Sequence, residues 1–391
     1  MRQSLSSFVA AGVLAASALG AMGRIDTASA QARDEIVVGY IMSATGANAS
    51  LGVHYRNAQE LFPTSVGGVK VRYVVRDDGS DSTQALNLAR QMISEEKVDV
   101  LLGPSLTTSA LSVLQLVNDS KVPEIATCPM ALDPAKTPWT FSTVQTASLM
   151  MSGVVDSMVA KGIKRVGFIG FSDSFGDQIL QAFQKLSEPV GITITSEQRY
   201  ARADTSVQAQ VLRILATKPD AILVGGSGSQ AALPGITLKE RGFTGLVYNT
   251  HGAVNPDFLR IGGAKVDGEI APTGPVFVFD QLPASNPTKA VGTDFMTKYL
   301  GKFGEQNRNG FAGYAWDGYL IFQEAAKVAL TKAKPGTQEF RDAFRDAVET
   351  NPTIVGSHGN IKMTPTDHYG RDKTGLVLVQ VANGGWTLIN Q

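Results

Sequence analysis

From Asp34 onward the chain alternates short apolar, β-branched runs with amphipathic stretches of helical period. Ile36-Val37-Val38-Gly39-Tyr40-Ile41 predicts a strand, residues 43–50 a polar loop, and residues 54–62 a helix. Further strands are expected over 70–75, 98–102 and 124–126, with helices over 82–95 and 111–118 between them. In the 82–95 stretch, Ala85, Leu88, Ala89, Met92 and Ile93 recur three and four apart, which sets one helical face toward a core. The pattern then restarts. Helices over 151–161, 176–184, 207–216 and up to Arg241 alternate with strands over 165–170, 192–197, 221–224 and 246–248. Strands separated by helices of this length pair in parallel through right-handed crossovers. The reading is therefore α/β: two doubly wound domains in series. After residue 276 the pattern turns to helix over 288–303, 312–331 and 337–350. It then turns to antiparallel strand over 359–363, 376–381 and 386–389, with Asn383-Gly384-Gly385 as a hairpin turn.

Composition narrows the classes. The chain has 391 residues, 43% hydrophobic, enough for two cores. Lys plus Arg and Asp plus Glu both count 35, so there is no basic excess for nucleic acid or an anionic membrane. The lone Cys128 excludes a disulfide within the chain and a cysteine-based zinc site, and its apolar flank predicts a small buried hydrophobe. Residues 1–30 read as a cleaved secretory signal peptide: Arg2, an apolar or small-residue stretch from Phe8 to Met22, and Ala28-Ser29-Ala30 as the cleavage site. No cysteine follows that stretch to carry a lipid, and no later segment reaches eighteen apolar residues.

Ligands of open α/β sheets bind beyond the carboxyl ends of the strands. The loops there are 43–50, which contains Asn48, then 103–109 and 129–133 in the first domain, and 172–176, 226–229 and 249–252 in the second. Ser105, Thr107, Thr108 and Ser109 open a helix and place hydroxyls and free amides at one point, where the helix dipole suits a carboxylate. The same residues would serve as ordinary helix caps. Phe175 stands in a Ser/Gly loop as a ring or alkyl contact, or packs on its own helix. His251 lies past a strand end, where it is structural or faces an acidic ligand group. Asp77, Asp78 and Asp81 read as a solvated loop. Enzyme motifs are missing: no Gly-x-Gly-x-x-Gly follows the first strand, no Walker motif or Gly-x-Ser-x-Gly elbow occurs, and the four histidines are scattered singly. No cofactor and no metal is expected.

Several stretches in this order resemble the leucine/isoleucine/valine-type, cluster-I periplasmic binding proteins of bacterial ABC transporters. They are Gly39-Tyr40-Ile41 with Thr45-Gly46, Arg76-Asp77-Asp78, Leu102-Gly103-Pro104, Gly162-Ile163-Lys164-Arg165-Val166, Phe175-Gly176, Lys218-Pro219-Asp220-Ala221 and Tyr314-Ala315-Trp316-Asp317. The resemblance implies two lobes joined by a three-segment hinge near 143–146, 273–279 and 353–358. Lobe 1 would hold 34–144 plus 277–354, and lobe 2 would hold 145–276 plus 355–391. It further implies a small-molecule ligand shut in by hinge closure, an inner-membrane ABC permease as partner, a periplasmic location and a monomer. The site it implies comprises Asn48, Ser105, Thr107, Thr108, Met130, Ala131 and Tyr314 with Phe175, Ser227 and His251. In it the family's carboxylate-binding loop matches 105–109, with Thr107 at the key hydroxyl. Met130-Ala131-Leu132 has lost the next loop's hydroxyl, Ser227 replaces an aromatic, and His251 stands where an acid would meet an α-ammonium. The carboxylate half of the site is kept and the ammonium half is lost. A buried ammonium without an anion is disfavoured, so the expected ligand is an organic acid without an amine, aromatic and benzoate- or cinnamate-like. Its carboxylate would sit on Thr107, Thr108 or their backbone N–H groups, its ring on Phe175, and a distal polar group near His251. A branched-chain or other amino acid, or the role of a ligand-binding sensor subunit, stays open at this point.

Overall fold

A computed structural model describes residues 32–389; the expected signal peptide lies outside them. The first half runs β1 (Glu35–Met42), α1 (Ala49–Gln59), β2 (Ser65–Val66), β3 (Val69–Asp77), α2 (Ser82–Ser94), β4 (Val100–Leu102), α3 (Thr107–Ser120), β5 (Glu124–Ala126) and β6 (Thr140–Ser142). These strands form one sheet in the order β2-β3-β1-β4-β5-β6, parallel except for the β2–β3 pair. β1 explains the layering. Its Ile36, Val38 and Tyr40 enter one core and its Val37 and Ile41 the other. A strand buried on both faces needs an unbroken apolar run, and that is what residues 36–41 supply.

The second series is α4 (Ala147–Ala160), β7 (Arg165–Phe171), α5 (Ser174–Ser187), β8 (Thr193–Tyr200), α6 (Gln208–Leu215), β9 (Ala221–Gly225), α7 (Ala232–Glu240), β10 (Leu246–Asn249), α8 (Pro256–Gly262) and β11 (Ile270–Thr273). The chain then returns to the first lobe as α9 (Lys289–Phe303), α10 (Gly310–Leu330) and α11 (Gln338–Thr350). Their Phe295, Tyr299, Phe322, Phe340 and Phe344 complete the core under Ile36, Val38 and Tyr40. The short pair β12 (Ile354–Gly356) and β13 (Gly359–Ile361) follows, then β14 (Val377–Ala382) and β15 (Gly385–Ile389). The second sheet is ordered β15-β14-β11-β10-β9-β7-β8, with the terminal hairpin added antiparallel on β11. β13 pairs with β12 and not with the hairpin, a correction to the reading of residues 359–389 as one antiparallel unit.

The chain passes between the lobes between β6 and α4, and again between β11 and α9. The third passage falls later than 353–358. Ile361 and Met363 are still in the first core. Ser142 N donates to His368 O (3.0 Å), and the His368 ring packs on Phe141 at 4.1 Å. Residues up to about 371 therefore belong with the first lobe, and β14 with the second. Residues 356–358 instead enter a buried cluster that ties the passages together. Asp317 in α10 accepts from Ser357 N (2.6 Å) and His358 N (3.1 Å) and pairs with Arg371 (2.7 Å), both side chains fully buried. Arg371 Nη2 also donates to Thr143 O at 2.6 Å, on the first passage. The His358 ring stacks on Tyr314 (4.0 Å), and a Cβ on Gly274, on the second passage, would meet its Nδ1 at 1.6 Å.

Candidate functional site

In both sheets the strand order reverses beside the first strand of the series, between β1 and β4 and between β7 and β9. Such switch points open a crevice at the carboxyl ends, and the two crevices face each other. A narrow cavity lies between them. Leu51, Tyr55, Ser105, Leu106, Thr107, Thr127, Cys128, Pro129 and Phe311 line it from the first lobe. Phe175, Arg202, Ser227, His251 and Gly252 line it from the second, and Val144 from the first passage. The lobes stand close, leaving about 30 Å³ for the centres of water-sized molecules, roughly two to three times what one water takes on that measure.

On the first lobe, Thr107 begins α3. Ala110 N is the first α3 amide to bond within the turn, to Leu106 O, and no side chain caps the helix. The amides of its first turn thus remain as donors. The hydroxyls are committed elsewhere. Thr107 Oγ1 donates to Pro129 O (2.7 Å), and Ser105 Oγ accepts from Ser43 N (3.0 Å). The free donors at this end are therefore backbone amides, the alternative to the Thr107 hydroxyl, whose O–H is turned to Pro129 O.

On the second lobe the central group is Arg202, two residues past β8. Its Nε donates to Asp173 Oδ2 (2.6 Å), and its Nη1 donates to Ser227 Oγ (3.1 Å) and across the cleft to Asn48 Oδ1 (2.8 Å). Its guanidinium lies 4.2 Å from the centre of the Phe171 ring. Asp173 also caps α5 through Phe175 N (3.0 Å) and Gly176 N (3.2 Å), so one carboxylate fixes both Arg202 and the start of the helix bearing Phe175. A second bond across the cleft runs from Ser229 N to Ser50 Oγ (3.3 Å).

His251 is edge-on to Phe175 (6.2 Å) and to Tyr314 (6.3 Å), and its Nδ1 is buried without a partner. Burial, followed by the nearby His358, lowers its pKa to about 4, so it faces the cavity as a neutral imidazole. Cys128 is buried as expected and also lines the cavity; burial raises its thiol pKa well above the ordinary value.

Of the expected site residues, Ser105, Thr107, Phe175, Ser227 and His251 line the cavity. Asn48 borders it through Arg202, and Tyr314 through its edge contact with His251. Three lie elsewhere. Thr108 is half-buried and does not line the cavity, and Ala131 is exposed. Met130 packs with Ala110, Ala126 and Cys128 in a small satellite core, its amide donating to Tyr369 Oη (3.1 Å). The loop after β5 turns away from the cleft, so only Thr127, Cys128 and Pro129 reach it. Arg202, Tyr55, Thr127 and Phe311 were not anticipated. The available signal for Arg202 was a charged residue among small ones just past a strand end. Asp77 and Asp81 are exposed, as a solvated loop requires, and Asp78 is buried. Asp77 accepts from Ala44 N (2.9 Å) and so braces the loop after β1, while Asp81 caps α2. Among the described residues no group of His, Cys, Asp and Glu could hold a metal ion, and no helix is long and apolar enough to cross a membrane.

A family model described as periplasmic binding protein matches residues 35–385. A crystal structure of an extracellular ligand-binding receptor from Rhodopseudomonas palustris HaA2 is 41% identical, with a TM-score of 0.89 over 91% of this chain and 100% of that one. A solute binding protein of an ABC transporter from Rhodopseudomonas palustris BisB5, in complex with 3,4-dihydroxybenzoic acid, is 23% identical. Its TM-score is 0.76 over 90% of this chain and 95% of that one, a likeness of fold. An amino acid binding protein of Pseudomonas aeruginosa is 23% identical over 83% of this chain and 84% of its own length.

Proposed function

Since the chain belongs to the periplasmic binding proteins of leucine/isoleucine/valine-binding type, receptors of ABC-type uptake systems rather than enzymes, we propose that its ligand is an aromatic carboxylic acid of the benzoate or cinnamate kind. The observation that carries this is the charge of the cavity lining: donors stand at both ends, and among the described residues no Asp or Glu lines it. Asp173, behind the wall, is already engaged by Arg202 and the first amides of α5. An α-ammonium would enter without an anionic partner, at a large desolvation cost. A carboxylate meets the first-turn amides of α3, with Leu51, Tyr55, Phe175 and Phe311 as an apolar middle for a ring. A polar substituent at the far end would approach Arg202 and the unpartnered Nδ1 of His251.

The closed space is smaller than a ring with a carboxylate, so entry requires the lobes to part, and closure over the acid ends somewhat wider than the form described. Delivery to an inner-membrane permease, export by the 1–30 segment and a monomeric state complete the proposal. Calorimetric titration of the purified protein, unfolded, dialysed and refolded to strip any carried-over acid, with benzoate, cinnamate, their hydroxylated forms and leucine tests it. An aromatic acid is expected to bind at least a hundredfold more tightly than leucine. Tight leucine binding with no response to the acids ends this reading.

A further inference from the structure

The end of the second lobe away from the cleft carries another polar cavity. Strand β10 connects the two: His251, past its carboxyl end, faces the cleft, while Leu246 and Val247 at its start line this pocket with α7 and the turn before β11. It is larger, about 190 Å³ on the same measure. Its distinguishing group is Glu269, a residue only 4% exposed. Oε2 accepts from Asn249 Nδ2 at 2.6 Å, Oε1 makes no hydrogen bond among the described residues, and the Asn249 Oδ1 is buried without a partner. A Cβ on Gly235 of α7 would stand 1.9 Å from Oε1. The helix admits this carboxyl only because the position has no side chain.

Glycine inside a helix is destabilising, and so is a buried carboxyl without a cation. Both meet here. The lysines lining the pocket do not relieve it. Lys265 pairs with Glu240 at the rim, and Lys239 makes no ion pair among the described residues. The pocket thus has the Glu269 carboxyl on its floor and, at its rim, Lys239 beside Asp267 and the Lys265–Glu240 pair.

We propose that this pocket is a second ligand site, for a small zwitterion whose ammonium pairs with Glu269 and whose carboxylate reaches Lys239. An ammonium supplies donors that Oε1 lacks and the charge that lets the buried carboxyl ionise. A plain amine would be repelled by Lys239, and a plain acid would face Glu269. Burial holds the Glu269 pKa up to about 8, so the carboxyl is mostly protonated at neutral pH. Pairing with an ammonium then releases its proton to solvent.

The inference does not rest on the cleft's ligand, and the test keeps the two apart. β-Alanine, 4-aminobutyrate and 5-aminovalerate would be titrated into the full chain, into Glu269→Gln and Lys239→Met, and into His251→Ala, which alters only the cleft. At least one zwitterion is expected to bind the wild type and His251→Ala within about twofold of each other, and Glu269→Gln and Lys239→Met at least tenfold more weakly. Propylamine and propionate are expected to bind at least tenfold more weakly than that zwitterion. Titration at pH 7 in buffers of different ionisation enthalpy should show release of about one proton per ligand, absent in Glu269→Gln. Glu269→Gln keeps the shape of a protonated Glu269, and a thermal melt reports its folding. Absence of binding by all three zwitterions, unchanged affinity in Glu269→Gln, or binding lost in His251→Ala instead would overturn the proposal.

Discussion

At the scale of single residues, Arg202 and Thr107 separate the chemistry of the cleft from its scaffolding. Both line the cavity, but the Thr107 hydroxyl is turned back to Pro129 O, whereas Arg202 joins Asp173, Ser227 and, across the cleft, Asn48. Thr107→Val should therefore cost about 1 kcal/mol of folding stability and leave benzoate or cinnamate affinity within a few fold. Arg202→Met removes the charge-assisted bonds that hold the second lobe's side of the cleft, worth about 1.5–3 kcal/mol, and should weaken the same acids by about tenfold or more. Urea melts and calorimetric titrations of both variants check the pair; equal loss of affinity in the two would place the anion on the threonine hydroxyl after all. A sequence shows that a threonine opens a helix but not where its hydroxyl points, because that depends on Pro129, 22 residues away. Arg202 was illegible for a related reason. One arginine among small residues looks like surface until β8 is placed at the edge of the sheet facing Asn48.

At the scale of elements, two helices are set against strand ends by glycines. A Cβ at Gly52 of α1 would lie 1.8 Å from Ser43 O, and one at Gly176 of α5 would lie 2.1 Å from Phe171 O. The missing side chains let each helix start directly over the carboxyl end of its own strand, which is how Leu51 and Phe175 reach the cavity. Gly176→Ala forces α5 outward against backbone that cannot yield. A loss of about 1–3 kcal/mol is expected, as for overpacking elsewhere, together with weaker binding of aromatic acids through the displaced Phe175. A melt and a titration check it, and an unchanged ring contact would show that α5 can shift without carrying its first turn along. The strand–helix alternation that builds these elements was readable because strands buried on both faces have a distinctive apolar run. The pairing of β13 and the late third passage were not readable. Short strands of three residues carry almost no periodicity, and Ile361 and Met363 are apolar enough for either lobe.

At the scale of the whole molecule, buried titratable groups bound the pH range of stability. Burial raises Glu124 and Glu269 to about 8 from an ordinary 4.5. The folded state holds their protons longer than the unfolded chain, so their contribution is complete below 4.5 and is lost as pH rises through 8. His54, His251 and His358 are lowered to about 4 from 6.5, again chiefly by burial. Their contribution is complete above 6.5 and is lost as pH falls toward 4. The decline between 6.5 and 8 thus belongs to the glutamates. A Glu124→Gln, Glu269→Gln double variant should gain stability relative to wild type between pH 6.5 and 8.5 and lose that gain below 4.5. Melts across that range decide it, and parallel curves would mean that neither carboxyl keeps its proton in the folded state.

The order of the segments has a consequence for synthesis. The sheet of the first lobe is complete by Ser142, yet the aromatic layer that covers one of its faces arrives only with Phe295, Tyr299, Phe322, Phe340 and Phe344. A chain emerging amino end first carries that sheet half-clothed until most of its length has appeared. Contacts so distant in sequence form slowly, so the first lobe reaches its full core only late in synthesis.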